Sequence, residues 1–303
     1  MRLGIDLGGT KIEIVALDDT GATLARERVP TPAGDYDGTI RAIGALVSGV
    51  EARLGRRGTV GIATPGALST RTALMKNSNS TVLNGRPLDR DIAAHLGRPI
   101  RIENDANCFA LSEAVDGAAA GAHVVFGVIL GTGVGGGLVV DRRVIAGRNR
   151  VTGEWGHNPL PWPNPDERPG PACYCGKTGC IETFLSGAGL ARSYAGRARP
   201  PLAAQDIAAA AASGDADARA ALRLYRDRLA RGLGSVINIV DPDAIVLGGG
   251  LSNIDAIFDG LETEIARHAF SDALDTRIAR AQHGDSSGVR GAAWLWPASD
   301  AAA

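Results

Sequence analysis

The chain of 303 residues is 45% hydrophobic and 21% charged, so it can bury a sizeable core, and at roughly 150 residues per domain it is long enough for about two domains. Its 32 basic and 33 acidic residues give a net charge of -1, which excludes a strong field for attracting nucleic acid or an anionic membrane. No apolar run approaches the roughly 20 residues that span a bilayer, and the first residues lack the order of a signal peptide, so we expect a cytoplasmic protein.

The first part of the chain is predicted to be an α/β unit that opens with a hairpin. Residues 2–7 and 11–17 are β-rich runs, and a Gly-Gly-Thr turn at 8–10 separates them. Further along, the spacing of apolar residues predicts a helix over 36–54, strands over 59–63 and 100–102, and a helix over 106–119.

A second hairpin of the same design begins a second α/β half. An apolar strand over 124–130 leads into the glycine-rich residues 131–137 and then into a strand over 138–140. The stretch 158–180 is rich in Pro, Gly and Cys and is not expected to be regular. The remaining predictions are a helical region over 183–240 with one long buried helix over 220–240, a strand over 244–247, a helix over 253–268, a strand over 276–281, a helix over 289–295, and flexible segments at 196–202 and in the Ala-rich tail.

Three glycine clusters follow predicted strands, at 6–11, 131–137 and 248–250. Glycine lets successive backbone N–H groups converge on an anion, so the clusters favour a nucleotide site, although each one alone could be a tight turn. The G-x-G-x-x-G spacing at 131–136 does not indicate a Rossmann fold, because that motif opens a helix and this one leads into a strand. Residues 176–178 imitate the end of a P-loop, but Pro171 stands where that motif requires glycine.

Four potential metal ligands lie close together in the sequence. Cys173, Cys175 and Cys180 fall within eight residues, and His157 lies sixteen residues before the first of them. This set is typical of a closed Cys₃His structural zinc site. The alternatives are small core cysteines, or a nucleic-acid-binding zinc knuckle, which would need more basic and aromatic neighbours.

A polar segment follows the strand predicted at 100–102. Asn104 and Asp105 come just before the predicted helix, so either side chain could simply cap that helix, a role worth about 1 kcal/mol. Glu103 is the nearest competing carboxylate, and the alternation of the strand leaves its direction open.

Several motifs together resemble the superfamily of sugar kinases, actin and heat-shock ATPases. Residues 6–11 (Asp-Leu-Gly-Gly-Thr-Lys) resemble its first phosphate motif, and 131–137 (Gly-Thr-Gly-Val-Gly-Gly-Gly) look like its second. Residues 247–250 (Leu-Gly-Gly-Gly) resemble its adenosine motif.

Within that superfamily, two further segments are similar to the ROK family of bacterial sugar kinases and repressors. They are 154–157 (Glu-Trp-Gly-His) and 173–182 (Cys-Tyr-Cys-Gly-Lys-Thr-Gly-Cys-Ile-Glu), and the likeness runs from residue 2 to about 297. Segments 153–162 and 283–297 look most like the fructokinase branch, whose members also phosphorylate mannose.

The resemblance implies an α/β protein with two duplicated, ribonuclease H-like domains, the actin-like or hexokinase-like ATPase fold, and an active-site cleft between the domains. We expect an N-terminal domain of 1–117 plus 287–303, which carries the first phosphate motif and a catalytic aspartate. We expect a C-terminal domain of 118–286, which carries the second phosphate motif, the zinc site and the adenosine motif.

The resemblance also implies ATP and Mg²⁺, with Asp6 close to the metal ion. The residues expected to bind the nucleotide are Gly4, Ile5, Asp6, Leu7, Gly8, Gly9, Thr10, Lys11, Gly131, Thr132, Gly133, Val134, Gly135, Gly136, Gly137, Leu138, Gly248, Gly249 and Gly250.

For the sugar, the aspartate of ROK kinases that matches Asp105 is the general base on a hydroxyl group. His157 would bind zinc with one ring nitrogen and a sugar hydroxyl with the other. The residues expected to bind the sugar are Gly66, Asn79, Asn104, Asp105, Glu154, His157 and Glu182; Gly66 and Asn79 could equally be ordinary loop residues. The expected zinc ligands are His157, Cys173, Cys175 and Cys180.

We therefore expect an ATP-dependent kinase that phosphorylates the 6-hydroxyl of D-fructose and also accepts mannose. The alternatives are a kinase of the same family for glucose or an N-acetylated hexosamine, or a sugar-sensing regulator without catalysis. A repressor would carry a helix-turn-helix before the first strand, which begins at residue 2, and an inactive sensor would be expected to lose Asp105. The expected partners are a hexose and a second copy of the chain, with neither nucleic acid nor membrane.

Overall fold

The computed structural model of the protein describes residues 1–195, 202–284 and 287–297. The strands, in chain order, are β1 Arg2–Leu7, β2 Lys11–Leu17, β3 Thr23–Pro30, β4 Thr59–Thr64, β5 Ala67–Leu68, β6 Met75–Lys76, β7 Ile100–Asn104, β8 Val124–Leu130, β9 Val134–Val140, β10 Arg143–Val144, β11 Ala244–Gly248 and β12 Arg277–Arg280. The α-helices are α1 Tyr36–Leu54, α2 Leu88–Leu96, α3 Asp105–Val115, α4 Ile181–Leu185, α5 Gly187–Ala195, α6 Ala204–Ala212, α7 Ala216–Val240, α8 Leu261–Ala266 and α9 Ser287–Trp294.

Two compact units share these elements. The first unit contains 1–121, 137–152 and 282–303, and the second contains 122–136 and 153–281. The sequence placed 137–152 in the C-terminal domain, whereas contacts in the structure group these residues with the first unit. The domain limits 1–117 plus 287–303 and 118–286 stay a prediction.

The first unit is built on a five-stranded sheet in the order β3-β2-β1-β4-β7. β1 and β2 form the predicted antiparallel hairpin, with Gly4 opposite Val15, and β1, β4 and β7 run parallel. Leu3 and Ile5 pack in a core with apolar residues of α1, while Val15 and Leu17 pack against α9. Because parallel strands end at one edge of a sheet, the residues that follow β1, β4 and β7 are brought together there.

In helix α1 the sequence pattern correctly predicts both the ends of the helix and its buried face. Asp35 caps its first turn by accepting a hydrogen bond from the Gly38 amide, and Gly55 ends it in the left-handed conformation. Its apolar stripe, which includes Ile43 and Val47, is buried in the core. The predicted helix limits of 36–54 are confirmed.

The second unit contains most of a sheet with the same plan, in the order β10-β9-β8-β11-β12, in which β8, β11 and β12 run parallel. The predicted duplicated α/β architecture is confirmed. The long helix predicted over 220–240 begins earlier, at Ala216, where Asp215 accepts hydrogen bonds from two amides of the first turn.

An ion-paired cluster fastens the irregular 158–180 stretch to α7. Glu167 accepts hydrogen bonds from Arg228 Nε at 2.7 Å and Arg231 Nη2 at 2.9 Å. Burial opposes ionisation of this carboxyl, but the bonds from the two arginines lower the pKa of Glu167 to about 2. The stretch is largely without regular structure, as predicted, yet it is held firmly on one side.

Several predicted elements differ from those observed. β9 begins at Val134, so four residues of the predicted glycine turn belong to the strand. The helix predicted over 253–268 is broken into two 3-10 turns and the short α8, because Gly260 adopts a left-handed φ of 73° just before α8 begins. The sequence did not predict β3, α2 or the β5–β6 pair, and α3 ends at Val115 and not at 119. Most of the segment 196–202 and the end of the Ala-rich tail, both predicted to be flexible, lie outside the described residues.

Within the described parts of the chain, none of the helices combines the length and the apolar character that crossing a bilayer would need.

Candidate active site

The first glycine loop follows β1 and is held by hydrogen bonds to its own end and to the segment after β3. The Gly8 amide donates to the Lys11 carbonyl at 3.0 Å, and Thr31 bonds the loop twice, from its amide to the Thr10 carbonyl and from its hydroxyl to the Gly8 carbonyl. A cavity of about 490 Å³ is lined by this loop and by Asn79. The structure thus brings the first phosphate motif and one predicted sugar residue together.

Asn104 ends β7 and caps α3. Its side-chain oxygen accepts hydrogen bonds from the amides of Ala106 at 2.9 Å and Asn107 at 3.4 Å, so the capping interpretation is confirmed. Its amide nitrogen donates to the Gly66 carbonyl at 3.2 Å. Asn104 and Gly66, both predicted to bind the sugar, therefore lie in contact at the carboxyl edge of the first sheet.

Asp6 and Asp105 lie near each other at the same edge. Burial, together with the negative charges of Asp105 and Glu13, raises the pKa of Asp6 to about 6, although the positive charges of Lys11 and Arg28 lower it. Asp105 is exposed as the first residue of α3. A buried carboxyl that shares its surroundings with other carboxylates is suited to hold a divalent cation, so this edge fits the expected Mg²⁺.

The direction of Glu103, which the sequence left open, is resolved. Its Oε1 accepts hydrogen bonds from the amide of Asn104 at 2.9 Å and from the Asn107 side chain at 3.2 Å, and its Oε2 pairs with Arg150 at 3.3 Å. Glu103 thus supports the turn that presents Asp105 and has its own partners on both oxygens.

In the second unit, the second and third glycine loops lie side by side. β8 ends at Leu130 and pairs with β11, which ends at Gly248. Gly249 has a φ of 81°, and a Cβ at this position would lie 2.4 Å from the Leu130 carbonyl oxygen. The second loop leads into β9 and not into a helix, which confirms that it is not a dinucleotide-binding fingerprint.

The segment 153–157 packs onto the beginning of β9. Trp155 is buried and donates a hydrogen bond from its indole nitrogen to the Gly135 carbonyl at 2.9 Å. The 3-10 turn Trp155–His157 exposes Glu154 and leaves His157 partly accessible. On α4, Glu182 accepts a hydrogen bond from the Val134 amide at 3.0 Å. The second unit therefore gathers Glu154, His157 and Glu182 around the second phosphate motif.

The four predicted metal ligands converge. The ligand atoms of His157, Cys173, Cys175 and Cys180 all lie within 4.8 Å of one another. The Cys173 sulfur is 3.6 Å from His157 Nδ1, and the sulfurs of Cys175 and Cys180 are 3.6 Å apart. Ligand atoms of a tetrahedral zinc site, with bonds of about 2.0–2.3 Å, are spaced by roughly 3.3–3.8 Å, so the set fits zinc.

Sequence reasoning gave no role to Tyr174. Its hydroxyl lies 2.9 Å from His157 Nε2, the ring nitrogen left for a sugar when Nδ1 faces the cysteines, and its ring meets the imidazole edge to face. Burial and the charges of Glu182 and Glu154 raise the pKa of Tyr174 to about 12. Its position between Cys173 and Cys175 was the available signal, since any residue there must lie beside the metal ligands.

The predicted residues therefore form two sets. Asp6, Asn79, Gly66, Asn104 and Asp105 belong to the first unit, with the first glycine loop. The second unit holds Glu154, Glu182, the four metal ligands and the other two glycine loops, except for Gly137 and Leu138.

Comparison with known proteins gives consistent matches over nearly the whole chain. The sequence model of the ROK family matches residues 2–299. The N-acetyl-D-glucosamine kinase of Escherichia coli is 44% identical over 299 residues, which cover 97% of this chain and 99% of that protein. The ROK hexokinase of Thermus thermophilus aligns with a TM-score of 0.86 and 31% identity over 97% of both chains. A ROK family glucokinase of Streptomyces griseus, solved with glucose and AMPPNP, aligns with a TM-score of 0.76 and 30% identity over 97% of this chain and 98% of that one.

Proposed function

The chain belongs to the ROK family, and we propose that it is an ATP-dependent sugar kinase whose acceptor is N-acetyl-D-glucosamine. The observation that carries the proposal is the clustering of Asp105, Asp6 and the first glycine loop at one edge of the first sheet. The substrate is proposed from the 44% identity with an N-acetyl-D-glucosamine kinase over nearly the full length of both proteins.

ATP is the proposed phosphoryl donor. The support is the set of three glycine loops, together with the likeness to a glucokinase solved with the ATP analogue AMPPNP. Mg²⁺ bound near Asp6 would neutralise charge on the phosphates. The amides of the glycine loops would bind phosphate oxygens, which is the positioning that phosphoryl transfer requires.

Asp105 is the proposed general base. It accepts the proton of the 6-hydroxyl group as that oxygen attacks the terminal phosphate. Its position as the first residue of α3, behind the cap that Asn104 forms, fixes its backbone. Glu103 does not compete for this role, because Asn104, Asn107 and Arg150 occupy its oxygens.

Each unit supplies side chains that we propose as partners for acceptor hydroxyls. Glu154 and Glu182 accept hydrogen bonds from hydroxyl groups, and His157 Nε2 donates one when the Tyr174 hydroxyl gives way. The oxygen of Asn104 is committed to the helix amides, but its nitrogen carries a second hydrogen for the sugar. On the first unit, Gly66 and Asn79 are proposed to bind the sugar together with Asn104.

We propose that His157, Cys173, Cys175 and Cys180 hold a structural zinc ion. The ion would order the loop between His157 and α4, and Glu154 and Glu182 lie at the two ends of that loop. In this arrangement zinc positions the acceptor residues and takes no part in phosphoryl transfer.

The experiment that tests the function is a coupled ADP-release assay with N-acetyl-D-glucosamine, glucose, mannose, fructose and N-acetylmannosamine at equal ATP and Mg²⁺. We expect the largest kcat/KM for N-acetyl-D-glucosamine. A larger value for any other sugar contradicts the proposed acceptor, and no ADP release with any of them contradicts the kinase itself.

Fructose with mannose is the second candidate acceptor, because segments 153–162 and 283–297 resemble the fructokinase branch; residues 285 and 286 of the latter segment lie outside the described residues. The comparisons support this reading less well than the N-acetylhexosamine alternative. The expected homodimer also stays a prediction, which sedimentation equilibrium would check.

A further inference from the structure

Glu182 contacts the second glycine loop, although the sequence assigns it only to the sugar. Its Oε2 accepts a hydrogen bond from the Val134 amide at 3.0 Å. A Cβ on residue 133 would lie 2.7 Å from the same oxygen. Cβ atoms are not found that close to another atom, so Gly133 leaves the space that the carboxylate occupies.

The hydrogen bond restrains a loop that is otherwise held through its backbone. The Gly131 amide donates to the Gly133 carbonyl at 3.0 Å, and the Gly131 carbonyl accepts from the Gly187 amide at 2.8 Å. The Val134 amide is directed at Glu182, so it is not directed at a phosphate. The position of the Glu182 carboxylate therefore affects the conformation of the second glycine loop, and with it the direction of the remaining loop amides.

We propose that Glu182 is a positioning residue that links acceptor binding to nucleotide binding. Through Val134 it holds the second glycine loop in the conformation that receives phosphate, and a sugar hydroxyl on the same carboxylate strengthens that hold. A carboxylate has lone pairs on both oxygens, so it accepts from the amide and the sugar at once. The inference rests on the proposed function and adds that sugar and nucleotide bind cooperatively, each raising the affinity of the other by the same factor.

The first test measures the Kd of AMPPNP with Mg²⁺ by calorimetry without sugar. Glu182→Ala removes the acceptor, and we expect about tenfold weaker binding, as for the loss of a hydrogen bond to a charged group. Glu182→Gln keeps an oxygen that can accept from Val134, so we expect about a threefold effect or less. Glu154→Ala is the matched control. Glu154 is an exposed carboxylate of the same unit, and within the described residues its side chain makes no hydrogen bond to the loop, so the nucleotide Kd of this variant should stay within about twofold of wild type.

The second test breaks the same hydrogen bond from the opposite side. The Cβ of Gly133→Ala must push the Glu182 carboxylate away, so this variant should also weaken AMPPNP binding about tenfold. In the Glu182→Ala background the same substitution should add little, because the interaction is already gone. Additive effects of the two substitutions would overturn the proposal. Gly133→Ala keeps the Glu182 side chain, so it can test the same hydrogen bond if Glu182→Ala fails to fold.

The third test repeats the titrations with saturating N-acetyl-D-glucosamine. Wild type should bind AMPPNP more tightly with the sugar than without it, and Glu182→Ala should lose this difference. Wild-type protein that binds no AMPPNP at all would contradict the proposed function itself. Equal Kd values for wild type and Glu182→Ala would overturn only the positioning role. Near-ultraviolet circular dichroism and zinc content establish that each variant is folded.

Discussion

Asp105 is the residue on which the proposed chemistry depends most directly. Asp105→Asn keeps the shape of the side chain, but an amide cannot accept a proton, so we expect kcat to fall by about 10²–10⁴-fold. Sugar affinity, measured by calorimetry without ATP, should change little. A variant with kcat within about threefold of wild type would contradict the assignment.

Glu103→Gln provides the control for that experiment. Glu103 lies two residues away and is also a carboxylate, but its oxygens are bonded to Asn104, Asn107 and Arg150. Its replacement should affect the stability of the turn more than turnover. A loss of kcat as large as that of Asp105→Asn would mean that the two carboxylates had been assigned the wrong way round.

Asp6 is a residue whose ionisation is unfavourable for the folded protein without its ligands. Because its pKa is raised from 3.8 to about 6, the stability that the protonated carboxyl contributes is present below pH 3.8 and is lost as the pH rises through about 6. We therefore expect Asp6→Asn to raise the Tm of the ligand-free protein at pH 8, and the gain to disappear toward pH 4. The same variant should lose activity. The kcat/KM of wild type for the nucleotide, which depends on groups of the ligand-free enzyme, should fall as the pH drops below about 6.

The partners of these residues could be predicted less well than their identity. The resemblance to ROK kinases predicted Asn104, Glu182 and Val134 as site residues. The sequence offered Asn104 and Asp105 equally as the cap of α3, and it gave no sign that the Val134 amide donates to Glu182. These pairings depend on side-chain directions that are set by tertiary packing, which the local sequence does not determine.

At the scale of elements, helix α9 packs very closely against α3. A Cβ on Gly291 would lie 1.7 Å from the Cys108 carbonyl oxygen, which is backbone and cannot move aside cheaply. We expect Gly291→Ala to lower the free energy of unfolding by about 1–3 kcal/mol or more, measured by urea denaturation.

Gly49→Ala is the matched control, because Gly49 also lies in a helix but a Cβ there meets no atom within 4 Å. We expect it to raise stability by about 0.5–1 kcal/mol through helix propensity. If the two substitutions had equal effects, close packing of α9 would not be the cause.

The Cys/His cluster belongs to the same scale, since a zinc ion bound there would order the loop that leads into α4. We expect purified protein to contain one equivalent of zinc, and Cys175→Ser to lose both zinc and activity, because structural zinc in small sites supplies on the order of 10–16 kcal/mol of apparent binding energy. Elemental analysis by mass spectrometry measures the metal. Cys108→Ala, at a buried cysteine of the first unit, should keep the zinc. Wild-type protein without stoichiometric zinc would contradict the prediction.

Periodicity predicted the elements well where pattern and packing agree, as in the hairpin β1–β2 and in α1. It failed where the backbone angle of a single residue interrupts an element. Gly260 interrupts the helix expected over 253–268 with a left-handed φ, and the apolar spacing on both sides carries no sign of it. The glycines of 134–137 were predicted as turn, although strand pairing fixes them within β9.

For the whole molecule, the repeated glycine hairpin was enough to predict two α/β halves of one design. The sheet orders β3-β2-β1-β4-β7 and β10-β9-β8-β11-β12 confirm the repeat. The sequence did not predict which unit each segment of the chain belongs to. Residues 137–152 group with the first unit because of contacts such as the ion pair of Arg150 with Glu103, which joins residues distant in sequence.

The return of the chain to the first unit has a consequence for its synthesis on the ribosome. Helix α9 covers β1 and β2, yet it is translated only after the whole of 153–281. Until then Val15 and Leu17 lack the apolar partners Val289 and Ala293. The second unit therefore has all its residues available before the first can complete its core. Since an exposed apolar sheet is prone to aggregate, the nascent first unit is the part of the chain that should most need a chaperone.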